Sequence, residues 1–122
     1  MKQVLKALKN EFKRFKIPYS YDEWEKDIEL PYFNGDLVEV PTNSEDGKSE
    51  FTFTLTGEDV DTYSNLYKYS EILKKEYKFG KTIMLDNGIM KIIYNKTGDV
   101  PVEFKKVKRI EIEFTLYVWE SE

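Results

Sequence analysis

Residues 109–119 read Arg-Ile-Glu-Ile-Glu-Phe-Thr-Leu-Tyr-Val-Trp, so that Ile110, Ile112, Phe114, Leu116 and Val118 alternate with Glu111, Glu113, Thr115, Tyr117 and Trp119. An extended chain sends successive side chains to opposite faces, and this spacing predicts a strand whose aliphatic face lies on a core. The other face runs from two carboxylates to two large aromatics, and its aromatic end needs cover from a helix or from another molecule. The strand is therefore expected to be central in its sheet or to lie at an interface.

A second strand of the same form is predicted where Phe51, Phe53 and Leu55 alternate with Thr52, Thr54 and Thr56. Before it, Pro31 to Val40 reads as a strand with a bend or bulge at Asn34-Gly35 and a stop at Pro41. The polar stretch from Thr42 to Ser49 reads as an exposed connection. Ile83 and Leu85, then Met90 and Ile92, flank Asn87-Gly88, which suits a two-residue hairpin turn. That turn would set Leu85 against Met90 and Ile83 against Ile92. Asn95 to Asp99 and Pro101 then read as a loop leading through Lys105, Lys106, Lys108 and Arg109 to the closing strand.

Two helices are expected. Leu5, Leu8, Phe12 and Phe15 make one stripe from about Lys2 to Lys16, ended by Pro18. Gly57, Glu58, Asp59 and Asp61 lead into the second, with Asp59 or Asp61 as its N-cap and Gly80 as its stop. Tyr63, Leu66, Tyr67, Ile72, Leu73 and Tyr77 supply its apolar face. Between the first helix and the first strand, Tyr19 to Leu30 reads as a loop with one helical turn. Antiparallel strands with two helices on one face predict a two-layer α+β domain spanning residues 1–122, with a mainly antiparallel sheet of four to five strands.

The 122 residues are 40% hydrophobic and 34% charged, the balance of a soluble domain with a single core. No apolar run approaches the roughly 18 residues of a membrane span, so no membrane contact is expected. The first residues carry lysines but no continuous apolar core or small-residue cleavage site, and the chain is expected to stay in the cytoplasm where it is made.

The sequence has no cysteine and no histidine, which excludes disulfides, thiolate and imidazole metal sites, and Cys or His catalysis. Carboxylate and lysine chemistry on magnesium is left. Glu103-Phe-Lys105 has the Glu-x-Lys spacing of metal-dependent nucleases, with Asp86 or Asp99 as the preceding acid. In a chain one-third charged that spacing arises easily by chance, and Asp86 is explained by its turn. Asp22, Glu23, Glu25, Asp27 and Glu29 lack the glycine and spacing of a calcium loop and read as a solvated acidic segment. No catalytic residue, cofactor or metal ligand is assigned.

The net charge of −4 hides an asymmetry, with +5 over residues 1–16, −11 over 17–62 and +2 over 63–122. An acidic middle opposes tight nucleic-acid binding, which draws its affinity from Lys and Arg, and suits a surface that DNA passes without sticking. The basic first helix, with Lys6 and Lys13, offers an anionic contact, against the plainer reading of a helix packed on the sheet with solvated lysines. Nine tyrosines and two tryptophans favour interfaces as well as core. Tyr117 and Trp119 share a strand face with glutamates, and Tyr19, Tyr21 and Trp24 lie among carboxylates.

An opening amphipathic helix, a strand start at Pro31-Tyr32, an acidic polar loop, a second helix and a β-rich close in Leu116-Tyr-Val-Trp119 together resemble the tail terminator or tail-completion proteins of long-tailed bacteriophages. The resemblance spans most of the chain and rests on element order, length and the form of the closing strand. It implies an α+β subunit of the virion tail, assembled in the host bacterial cytoplasm into a ring such as a hexamer. That ring would cap the tail-tube protein and meet the head-tail connector protein, with DNA only passing through a channel. No catalysis is implied. Contact residues are chosen from chemistry, since no family motif fixes them: Tyr21, Trp24, Asn43, Glu45, Asp46, Lys48, Asp59, Asp61, Tyr117 and Trp119. The competing expectation is a small acidic intracellular module that binds or inhibits a basic partner by mimicking nucleic acid.

Overall fold

The computed structural model describes residues 1–21, 29–42, 47–103 and 106–120. Along the chain run α1 (Lys2–Arg14), β1 (Tyr19–Tyr21), β2 (Tyr32–Val40), β3 (Lys48–Val60), α2 (Ser64–Tyr77), β4 (Lys81–Leu85), β5 (Gly88–Val100) and β6 (Val107–Glu120). The strands form one sheet in the order β1-β2-β3-β6-β5-β4, with β1 parallel to β2 and the remaining pairs antiparallel. The fold is α+β with two helices, as its sequence suggests, but the sheet is mixed and six-stranded where four to five strands are expected. The added strand is Tyr19–Tyr21, too short for any periodicity to reveal and read from sequence as loop.

β6 is central, between β3 and β5, and Ile110, Ile112, Phe114 and Leu116 are fully buried. Phe51, Phe53 and Leu55 lie on the same face. β3 does not stop at Gly57; it continues to Val60 because glycine there is a contact, not a break. A β-carbon on Gly57 would come within 2.3 Å of the Phe33 ring, and one on Gly35 within 2.6 Å of the Phe53 ring. β2 accordingly runs straight through Asn34-Gly35, correcting the expected bend.

The β4–β5 hairpin turns on Asp86 and Asn87, one residue earlier than expected. Gly88 pairs with Leu85 and Ile83 with Met90, so the predicted partners are shifted. Gly88 is fixed by its other neighbour: its φ is +130°, and a β-carbon would lie 2.0 Å from the Trp119 carbonyl oxygen. β5 then continues through the segment read as a loop. A bulge between Tyr94 and Lys96 breaks the alternation that sequence periodicity depends on.

α1 buries Val4, Leu8 and Phe12, an i, i+4 series, while Leu5 and Phe15 are only half-buried. It ends before Pro18 in a Schellman motif: Ile17 N–H donates to Phe12 O (2.9 Å), Lys16 N–H to Lys13 O (3.0 Å), and Lys16 has φ +57°. α2 starts after Thr62, whose hydroxyl accepts from Ser64 N–H (3.1 Å), and neither Asp59 nor Asp61 caps it. At its far end Gly80, φ +82°, donates to Tyr77 O (3.0 Å).

Both helices pack on the face that carries Phe53 and Phe114. Phe12 stacks on Phe53 with ring centroids 5.8 Å apart, and Tyr77 meets Phe114 edge-on at 6.0 Å. α1 touches both β1 and β4, the two ends of the strand order, so the sheet curls around it. Among the described residues no helix is long and apolar enough to cross a membrane.

Candidate functional site

Because both helices use one face of the sheet, the opposite face of β3 and β6 has no helix over it, and strand parity decides what it shows. At one end Trp119 lies opposite Lys48 on β3 and Ile89 on β5, and Ile89 lies opposite Met84 on β4. Lys48 Nζ sits 4.7 Å from the centre of the Tyr117 ring, and the Tyr117 and Trp119 ring centroids are 6.5 Å apart. Met84 is 76% exposed. The result is a cation-faced aromatic pair edged by aliphatic side chains.

At the other end of the same face stand Glu111 and Glu113, with Thr52, Thr54 and Thr56 beside them on β3. Arg109 donates through Nε and Nη2 to Glu58 Oε1 (3.2 and 2.8 Å), which neutralises part of this region. The bulge residue Asn95 donates its amide to Glu113 (3.2 Å) and to the Thr115 hydroxyl (2.8 Å).

Of the residues expected from sequence to make contacts, the structure brings together Lys48, Tyr117 and Trp119. Tyr21 is elsewhere: in β1, level with Gly35, it lines a groove with Leu5, Lys6 and Lys9 of α1 and packs against the core cluster. Asp59 is corrected from a surface acid to a buried one, 7% exposed. One of its oxygens accepts from Val60 N–H (2.8 Å) and the other from Asn65 Nδ2 (3.2 Å), which ties the end of β3 to α2. Asp61 is exposed at a turn with φ +66°, and its N–H donates to Lys106 O (2.6 Å). Trp24, Asn43, Glu45 and Asp46 lie outside the described residues, as do Lys105 and, of the acidic segment, Asp22, Glu23, Glu25 and Asp27. The described acids of the middle third do not form one patch, since Asp59 is buried and Glu58 is paired with Arg109.

Sequence reasoning missed the densest ionisable cluster, which joins α1, α2 and β4. Glu11 Oε1 accepts from the Tyr77 hydroxyl (2.7 Å), Lys81 (3.1 Å) and Arg14 (3.2 Å), and Glu76 Oε1 accepts from Arg14 (2.9 Å) and Lys81 (2.9 Å). Burial works to raise the Glu11 carboxyl, but the hydrogen bonds from Tyr77 and Lys81 and the charges of Lys81 and Arg14 outweigh it and hold it below its usual range. The hydrogen bond from Arg14, then that from Lys81, lowers Glu76 as well, while burial and the Glu11 carboxylate push the Tyr77 phenol up. These shifts move Glu11, Glu76 and Tyr77 further from titration at pH 7, the reverse of what proton transfer there needs. The cluster is a clamp between elements. No spacing rule in the sequence links residues 11, 76 and 81.

For the nuclease expectation, Asp86 lies in the turn before β5 and Asp99 near the far end of that strand, Asp86 beside Lys6 (3.6 Å) and Asp99 accepting from the Tyr67 hydroxyl. That hydrogen bond, with burial, pushes the Tyr67 phenol up to about 12. Among the described residues no three carboxylates converge on one point.

No protein-family model matches the chain. No curated protein matches it either. Among solved structures, one whose name states no function aligns over 98% of this chain and 93% of its own, with a TM-score of 0.71 and 11% identity. At that identity the likeness establishes a shared fold, an α+β domain of the same extent as this one.

Proposed function

We propose that this chain is a structural subunit that assembles into a ring as the tail terminator, or tail-completion protein, of a long-tailed bacteriophage. In this role it caps the tail tube and offers a surface to the head connector, and it belongs to the virion tail after assembly in the host bacterial cytoplasm. The proposal assigns it no catalysis, cofactor or metal.

The observation that carries it is the helix-free face of β6. A β-surface with Tyr117, Trp119 and Met84 at one end and carboxylates at the other has the make-up of a protein contact, with aromatic anchors in a polar surround. The order of elements supports the same role through the resemblance described above. The runner-up, an acidic nucleic-acid mimic, needs a concentrated acidic surface, and the described acids are dispersed or paired.

The test is tube growth. A candidate tail-tube protein is polymerised with and without this chain, and tube lengths and end structures are read by electron microscopy. Capped, shortened tubes are expected, and Trp119→Ala should abolish capping while thermal unfolding stays cooperative. A chain that remains monomeric by light scattering and leaves tube length unchanged would refute the assignment.

A further inference from the structure

The two ends of the strand order are only half covered. β1 pairs with Phe33, Asn34 and Gly35 of β2, which leaves Asp36–Val40 with β3 on one side and, among the described residues, no strand on the other. β4 pairs with Gly88 to Ile92 of β5, which leaves Ile93–Val100 bonded to β6 alone. No further backbone hydrogen bond reaches either half-strand among the described residues. Their outward N–H and C=O groups form two templates for strand addition.

We infer that these two half-strands pair with each other between copies of this chain, Asp36–Val40 of one subunit against Ile93–Val100 of the next. Within one subunit the two half-strands do not pair, since β2 bonds only β1 and β3, and β5 only β6 and β4. The contact joins two different surfaces and is heterologous, which generates a ring if the rotation closes. This deepens the ring reading above and rests on it, by naming the surface that joins subunits.

Three features select this pairing over either edge pairing with its own copy. The β2 half carries Asp36 and Glu39 and no cation, so two copies of it would set acid against acid. The β5 half carries Lys96, and its one carboxylate, Asp99, is committed to the Tyr67 hydroxyl. Val38, 58% exposed on the β2 half, lacks cover, while Gly98 on the β5 half has nothing within 4 Å of where a β-carbon would stand. Val38 seated over Gly98 fills both vacancies.

The sequence has no cysteine, so introduced thiols report only the intended contact. Val38→Cys, Gly98→Cys and the double variant are oxidised with oxidised glutathione and run without reductant. The expected result is a ladder of covalent multimers from the double variant alone, collapsing to monomer on reduction. A covalent dimer from Val38→Cys by itself would mean that β2 pairs with β2, and overturns the inference. So does a double variant that never cross-links. If that variant still caps tubes, only the edge pairing fails and the terminator role stands; if it cross-links as expected but ignores tubes, the role fails and the pairing stands. Val38→Lys provides an independent check without oxidation: a lysine at this edge should raise the concentration for assembly at least tenfold by light scattering, and unchanged assembly counts against the pairing.

Discussion

The Phe33 ring stands where a side chain of Gly57 would begin, with Cε1 only 2.3 Å from the position of a β-carbon. The same ring meets Tyr69 of α2 edge-on at 5.6 Å, so it is held from above and cannot swing away freely. Gly57→Ala should therefore destabilise the chain by about 1–3 kcal/mol through overpacking. Urea unfolding measures it. The cost should shrink in a Phe33→Leu background, since residues in contact couple; a fully additive pair would show that the ring is not the obstacle.

Gly88 and Asn87 should behave oppositely. Gly88→Ala combines positive φ with a 2.0 Å approach to the Trp119 carbonyl oxygen, a backbone atom that cannot rotate aside, and should cost about 2 kcal/mol or more. Asn87 exchanges hydrogen bonds with Gln3 through its own backbone N–H and C=O (both 2.9 Å), which alanine keeps. Asn87→Ala should then lie within about 0.5 kcal/mol of the parent. Thermal melts of the two variants compare them, and a large loss from Asn87→Ala would favour the turn one residue later.

Phe114 is the hub of the aromatic core, with ring centroids 5.9 Å from Phe53, 6.0 Å from Tyr77, 6.0 Å from Tyr94 and 6.5 Å from Phe12. Phe114→Ala opens a cavity that touches β3, β5 and both helices, and should cost about 3–5 kcal/mol. Denaturant titration followed by tryptophan fluorescence reads this loss.

The Glu11 clamp gives the fold an acid limit. Its carboxyl titrates below 4.5 in the folded chain, so its charged form stabilises the fold at pH values above about 4.5, and that contribution disappears as pH falls through the depressed value. Glu76 acts in the same direction but is 31% exposed, so water screens its share. Glu11→Gln should lower stability at pH 7 by about 1–3 kcal/mol, because Lys81 and Arg14 lose a charged acceptor. It should also flatten the decline between pH 5 and pH 3 in melting experiments. An equally steep decline would place the acid limit in other carboxylates.

β6 and β3 were legible in the sequence because their alternation runs long enough to be unmistakable, and the end of α2 was legible because Gly80 stands where a left-handed residue is needed. What escaped prediction follows from contacts distant in sequence. Gly35 and Gly57 look like breaks until the rings of Phe53 and Phe33 are placed over them. Ending β3 at Gly57 also hides that Leu55, Gly57 and Asp59 share a face, and so misplaces Asp59 at the surface. Asn95 hides the second half of β5, because one bulged residue reverses the parity of those after it. Lys48, Tyr117 and Trp119 were each visible as candidates, but their meeting depends on the β3–β6 register, which no local pattern specifies.

The seating of α1 has a consequence for the order in which the protein comes into being. Its Gln3 side chain binds Asn87 and Glu120, and its Glu11 binds Tyr77 and Lys81, so α1 leaves the ribosome before these partners, 66 to 117 residues downstream, exist. During that interval Phe12 can meet Tyr19 and Phe53, but the part of the core that β6 supplies is still missing. Folding must close these distant contacts late and together, which makes it slow for a chain of this size and leaves an apolar helix face open to chaperones, or to another nascent copy, until β6 has been made.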